Sequence, residues 1–167
     1  MSKSVLIVMG SENDTDKVLP AVEILRGFDI PVRVVVASAH RSPERAARLS
    51  REAREQGVGV IIAAAGAAHH LGGAMAANST LPVIALPLAV GTVGGLDSLL
   101  SAVQMPGGVP IAAVGIDGAK NAGLIAAAIL SIGNETLAGR LDEQRESQRQ
   151  GVEQADERVQ ARLARQG

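Results

Sequence analysis

Five short apolar runs, Val5 to Met9, Val32 to Ala37, Val58 to Ala64, Val83 to Leu88 and Ile111 to Val114, are separated by segments whose apolar residues recur at helical spacing. Runs this short, rich in Val, Ile and Ala and bounded by Gly, Pro or polar turns, read as strands buried on both faces. Between them, Val18, Leu19, Val22, Ile24 and Leu25 mark one helix and Ala46, Ala47, Leu49 and Ala53 a second; Leu71 to Ala77 and Leu96 to Val103 mark two more. Strands joined through helices pair in parallel, because the helix is the crossover that brings the chain back to the same end of the sheet. The pattern therefore predicts an α/β fold of three layers, a parallel sheet with helices on both faces. Ala119 to Ile132 adds a helix that is apolar all round, which is expected to be buried, with another copy of the chain as one candidate partner.

From Asn134 onward the character changes: Leu137, Leu141, Val152, Val159 and Leu163 stand among many Arg, Glu and Gln. This tail reads as a solvated helix or pair of helices broken near Gly151, either a charged outer face or a subunit contact. The 167 residues fit one domain, with a core over about 4–131 and a helical extension over about 134–167.

Composition removes several classes of function. A net charge of −1, spread along the sequence, offers no basic field for a nucleic acid, and Phe28 is the only aromatic residue, so base stacking has no platform. The absence of Cys removes disulfides and thiolate chemistry and suits a reducing compartment, so the expected location is the cytoplasm. The run after Met1-Ser2-Lys3-Ser4 is too short for a signal-peptide core or a membrane span, and no membrane partner is expected.

Ligands of open parallel sheets bind beyond the carboxyl ends of the strands, which directs attention to three loops. In the first, Gly10 to Asp14, the side chains of Ser11 and Asn13 and the following helix amides can donate to a phosphate, although helix capping alone would also explain Asn13 and Asp14. In the second, Ser38-Ala39-His40-Arg41-Ser42-Pro43, the Ser-Pro pair is a conventional helix start. Arg41 is either a bidentate phosphate grip or a solvated side chain. The third runs from Ala63 through Gly66, Ala67, Ala68, His69, His70 and Leu71 to Gly73, and its two imidazoles are the only side chains able to move protons. Local composition does not separate His69 from His70. A fourth, Gly-rich segment from Ala89 to Ser98 reads equally as a lid or wall or as a plain connection ending at a helix N-terminus.

Known chemistries can be weighed against these loops. Adjacent His69 and His70 lack metal-ligand spacing, and no metal is expected. Gly-x-Ser-x-Gly, the phosphate-loop Gly-Lys-Ser/Thr and the dinucleotide fingerprint after the first strand are all missing, which disfavours serine hydrolysis, nucleoside triphosphatase action and hydride transfer. Proton transfer by histidine beside an anchored phosphate remains.

The run Val8-Met9-Gly10-Ser11 through Asp14, the hexapeptide Ser38 to Pro43, the loop Gly66 to Gly73, Leu96-Asp97-Ser98-Leu99-Leu100-Ser101 and Gln104-Met105-Pro106-Gly107-Gly108-Val109-Pro110 together resemble the PurE-type family of 5-(carboxyamino)imidazole ribonucleotide mutases, class I, over about residues 4–131. The resemblance implies a flavodoxin-like core, a homo-octamer, a ribonucleotide substrate and a cofactor-free carboxyl transfer in purine biosynthesis. It further implies that Ser11, Asn13, Asp14 and Arg41 bind the ribonucleotide, Asp14 at the ribose and Ser11 and Arg41 at the phosphate. Ser38, Ala39, His40, Gly66, Ala67 and Leu71 would line the pocket, and His70, with His40 beside it, would carry the proton. The related carboxylase, which takes free carbon dioxide, usually lacks the histidine matching His70, and a nucleotide-binding module without catalysis is the reading from another class. The chain departs from the family pattern at Asn13, usually Ser, at His69, usually Ala, and at Gly72, usually Pro. The fourth loop lacks charges that many relatives carry.

Overall fold

The computed structural model describes residues 3–165, so Met1 and Ser2 of the expected start lie outside the described residues. The chain divides into two compact units, one up to Leu130 and one from Ser131.

The first unit is built on β1 (Ser4–Met9), β2 (Val32–Val36), β3 (Val58–Gly66), β4 (Val83–Leu88) and β5 (Ala112–Ala113), all parallel, in the order β2-β1-β3-β4-β5. Ile7 stands opposite Val34 on one side and Ile62 on the other, and Ile62 opposite Ile84. The helices are α1 (Thr15–Gly27), α2 (Pro43–Glu52), α3 (His70–Ala77), α4 (Leu96–Val103) and α5 (Ala119–Ser131), with a 3-10 turn at Glu12–Asp14 before α1. On one face Leu6, Val8, Ile61 and Ala63 pack with Ala46, Leu49 and Ala53 of the α2 region and Leu71 and Met75 of α3. On the other, α1 buries Val18, Ala21, Val22 and Leu25. It meets α5 at Gly123, where an added Cβ would lie 3.0 Å from the Ala21 carbonyl oxygen. Each fully buried Leu, Ile or Val contributes about 1.5–3 kcal/mol. The layered sandwich is the one the sequence pattern predicts, its flavodoxin-like core is the one the family resemblance implies, and its strand order reverses between β1 and β3, where such sheets open a crevice.

Two expectations need correction. The β2 run is not buried on both faces: the strand lies at the sheet edge, and Val34 and Val36 stay exposed. Within the single chain α5 buries the stripe Ala119, Ala122, Gly123, Ala126 and Ala127, and Ile132 just beyond it is exposed. In the second unit no break occurs near Gly151: α6 runs unbroken from Glu135 to Ala164. The ion pair of Arg149 with Glu153 spans the glycine, and a single interior Gly costs a helix only about 1 kcal/mol. Among the described residues no helix is long and apolar enough to cross a membrane.

Pro87 sits inside β4 opposite Ala65 of β3, yet β5 pairs only as far as Ala85. The missing proline N–H therefore falls where one side of the strand has no ladder to lose. The Pro87 carbonyl instead accepts from the Asp117 N–H at 2.9 Å, which ties the β4 end to the turn after β5.

Candidate functional site

The loops after β1, β2 and β3 converge on the crevice beside the β1/β3 reversal. After β1, the Asp14 carboxylate accepts from the Ser11 N–H at 3.1 Å and the Ser11 hydroxyl accepts from the Asn13 N–H at 3.3 Å. This reciprocal pairing closes the 3-10 turn, so Asp14 braces Ser11 and makes no side-chain cap to α1. Asp14 is buried, and desolvation raises its carboxyl pKa above the ordinary range against the opposing effects of the Ser11 N–H, Lys17 and Arg41.

After β2, the chain folds back on itself. The Ser38 N–H donates to the Ser42 hydroxyl at 2.9 Å, and the Arg41 N–H donates to the Ser38 hydroxyl at 3.1 Å. Ser42 does precede α2, but its hydroxyl braces this loop instead of capping the helix. The result aims the Arg41 guanidinium across the β1 end, where it donates to the Gly10 carbonyl at 2.9 Å.

After β3, Ala67 adopts a left-handed conformation, φ 53°, at a cost of roughly 1–2 kcal/mol for a residue with a Cβ. The turn delivers His70 to the first position of α3 with its Nδ1 2.6 Å from Nε2 of His40. The rings meet edge to face, with centroids 4.7 Å apart and an interplanar angle of 67°. His69 goes the opposite way: its ring is buried, with Nε2 3.0 Å from the Ala63 carbonyl oxygen, and burial lowers its pKa. Three-dimensional placement thus separates two neighbours that composition could not.

These loops enclose a cleft of about 410 Å³ lined by Ser11, Asn13, Asp14, Ser38, Ala39, His40, Arg41, Gly66 and Leu71, together with Gly10, Ala65, Ala68 and Val90. Of the residues read from the sequence, Ala67 and His70 are not on its lining; His70 is exposed and in hydrogen-bond contact with His40, which is on it. The fourth segment does supply a wall at Val90, one of the roles open to it from the sequence, whereas sequence reasoning missed the distant anchor that holds its first residue. Lys17 Nζ donates to the Ala89 carbonyl at 2.9 Å and pairs with Asp117 at 2.7 Å, while the Ala89 N–H donates to Asp117 at 3.0 Å. Burial acts to raise the Asp117 pKa, but the Lys17 ammonium and the Ala89 N–H outweigh it and hold the carboxyl below its ordinary value.

A parallel flavodoxin-like sheet with a carboxylate, a guanidinium and a histidine pair gathered at its strand ends defines a small-ligand α/β protein equipped for proton transfer. The model of the AIR carboxylase family matches residues 4–151. The N5-carboxyaminoimidazole ribonucleotide mutase of Bacillus subtilis is 47% identical over 161 residues, covering 95% of this chain and 99% of that protein. The enzyme of the same name from Thermotoga maritima is 45% identical, covering 92% of this chain and 90% of the other. The crystal structure of Treponema denticola PurE superposes with a TM-score of 0.83 at 27% identity, over 93% of this chain and 98% of that one. The chain belongs to the PurE-type AIR carboxylase and carboxyaminoimidazole ribonucleotide mutase family, class I.

Proposed function

We propose that this protein is a mutase of purine biosynthesis that converts 5-(carboxyamino)imidazole ribonucleotide to 4-carboxy-5-aminoimidazole ribonucleotide without a cofactor. The observation that carries the reading is the contact of His70 with His40, 2.6 Å apart, where His40 lines a cleft shared with Ser11, Asp14 and Arg41.

In this reaction the bond from the exocyclic nitrogen to the carboxyl group breaks and a bond from a ring carbon to the same group forms. One proton moves from that carbon to the nitrogen, so the transfer needs a group that both gives and takes a proton near neutral pH. His40 lines the cleft and His70 is bonded to it, so the proton is handled by the pair. Arg41 and Ser11 bind the phosphate and Asp14 the ribose hydroxyls. Asn13, Ser38, Ala39, Gly66, Ala67 and Leu71 complete the ribonucleotide site. Carbon dioxide released among Gly and Ala walls is held beside its acceptor, which makes recapture effectively intramolecular.

Assembly as a homo-octamer is supported by apolar side chains left open on the single chain: Leu96, Leu100 and Val103 at helical spacing on α4, and Val34 and Val36 on the β2 edge. The proposed location is the cytoplasm. The family model's own description favours one second reading, a carboxylase that adds free carbon dioxide to aminoimidazole ribonucleotide. Turnover with each carboxyl source separates the two. The mutase reading expects turnover of the carboxyamino compound. Activity only with aminoimidazole ribonucleotide and bicarbonate would replace it with the carboxylase, and ligand binding without turnover of either would leave a binding module.

A further inference from the structure

The loop that presents His70 has almost nothing of its own to hold it. Gly66, Ala67 and Ala68 carry no polar side chains, and Ala67 is strained. What fixes the loop comes from elsewhere. The Ser98 hydroxyl donates to the Ala65 carbonyl at 2.7 Å, and the His69 N–H donates to the Ser101 hydroxyl at 2.9 Å, both serines lying on α4. The third restraint is the His69 ring itself.

That ring is 1% exposed. A carbonyl oxygen can only accept, so Nε2 carries a hydrogen and donates to Ala63 of β3 at 3.0 Å. On the other side Nδ1 accepts from the Gly72 N–H, in the first turn of α3, across a longer 3.4 Å. Both contacts require the neutral Nε2–H tautomer, since a hydrogen on Nδ1 would face the Gly72 N–H. The fit also constrains residue 72. A Cβ there would lie 3.0 Å from His69 Cε1 and 3.2 Å from Nδ1, with Ile111 Cδ1 3.4 Å away on the far side. A proline at 72 would have no N–H to give. His69 and Gly72 are therefore one matched device.

We propose that His69 is a positioning residue: a neutral imidazole wedged between Ala63 and Gly72 that sets the first turn of α3 and, through it, the direction in which His70 meets His40. This rests on the proposed proton transfer by that pair. The ribonucleotide grip at Ser11, Asp14 and Arg41 lies on the other two loops, so loss of the wedge is expected to lower kcat and spare KM.

The test is a double-mutant cycle on the full chain, with kcat and KM measured for His69→Ala, Gly72→Ala and their combination, and for His69→Asn. A displaced acid–base group is expected to lower kcat on the order of tenfold or more in His69→Ala, with KM within about twofold of wild type. Asn places an acceptor oxygen near the Nδ1 position and is a good cap, so His69→Asn is expected to return kcat to within roughly threefold of wild type. Gly72→Ala alone is expected to lower kcat, and to cost nothing further once His69 is Ala. Nitrogen-15 NMR of the wild-type protein is expected to show a neutral His69 ring with hydrogen on Nε2 at about pH 6, where a free imidazole is largely cationic. Ring-to-ring proton contacts between His40 and His70 are expected to be lost in His69→Ala. KM rising in step with the fall in kcat, additive losses in the cycle, or a cationic His69 ring would each overturn the proposal. If the wild-type protein does not turn over the carboxyamino compound, the functional reading fails, while the ring spectra and the His40–His70 contacts still decide whether His69 sets that geometry.

Discussion

Gly66→Ala tests how the cleft is closed on its Val90 side. A Cβ at Gly66 would lie 1.9 Å from Cγ2 of Val90, and 3.0 Å from both its Cβ and its Cγ1. Carbon atoms in good contact sit about 3.5–4.0 Å apart, so Cγ2 must retreat by roughly 1.6–2 Å. Turning χ1 does not suffice, because the Val90 Cβ itself is too close and moves only with the backbone. That backbone is tethered one residue earlier, where Ala89 is held by both Lys17 and Asp117. Overpacking of this kind costs 1–3 kcal/mol, and the tether places the expected cost at about 2–3 kcal/mol. For a chain of this length that corresponds to a fall in Tm of about 4–12 °C. With Phe28 as the only aromatic residue, unfolding in urea is best followed by far-ultraviolet circular dichroism. Protein concentration must be held fixed, since any assembly would shift the midpoint by mass action. Val90→Gly removes all three crowded atoms, so the double variant is expected to be more stable than the sum of the single losses by at least about 1 kcal/mol. Wild-type stability in Gly66→Ala, or strict additivity in the double variant, would refute this account of the wall.

His70→Asn is expected to abolish turnover while largely preserving nucleotide binding, as read by calorimetry beside a turnover assay. Arg41→Ala is expected to weaken binding by about 1.5–3 kcal/mol, the worth of a charged hydrogen bond, and an unchanged KM would contradict its place at the phosphate. Asp14→Asn is expected to bind the ribonucleotide less well yet to be at least as stable as wild type at neutral pH. The sign follows from the raised pKa of buried Asp14. The folded state holds that proton to higher pH than the unfolded one, so the associated stability is full below about pH 3.9 and is lost as pH rises through the folded pKa. Urea midpoints measured from about pH 4 to 7 should therefore fall less with pH in the variant than in wild type.

Much of this was legible in the residues because local signals and tertiary structure agree. The apolar runs lie where β1 to β4 form, and Ser11, Asp14, His40 and Arg41 meet because loops at strand ends must converge where the strand order reverses. The misses are of another kind. Val34 and Val36 read as interior because hydrophobicity records the residue and not the neighbour, and an edge strand has a neighbour on one side only. His69 and His70 share a composition, and only the position of Ala63 and Gly72 sends one inward. The bond from Lys17 to Asp117 joins residues 100 positions apart, with no periodicity to announce it. The tail reads as one helix or as a pair broken near Gly151 because propensity is a local average; in the structure the Arg149–Glu153 ion pair spans that glycine and α6 is continuous.

Five of the thirteen residues that line the cleft, Gly10, Ala39, Ala65, Gly66 and Ala68, carry at most a methyl group, so main chain forms much of its wall. These five positions have almost nothing to trim. Nearly every point substitution at them adds atoms, and none removes more than a methyl group. Single exchanges at these positions can therefore do little but narrow the cleft, and side-chain exchange can widen it only where a larger residue such as Leu71 or Val90 stands on the lining.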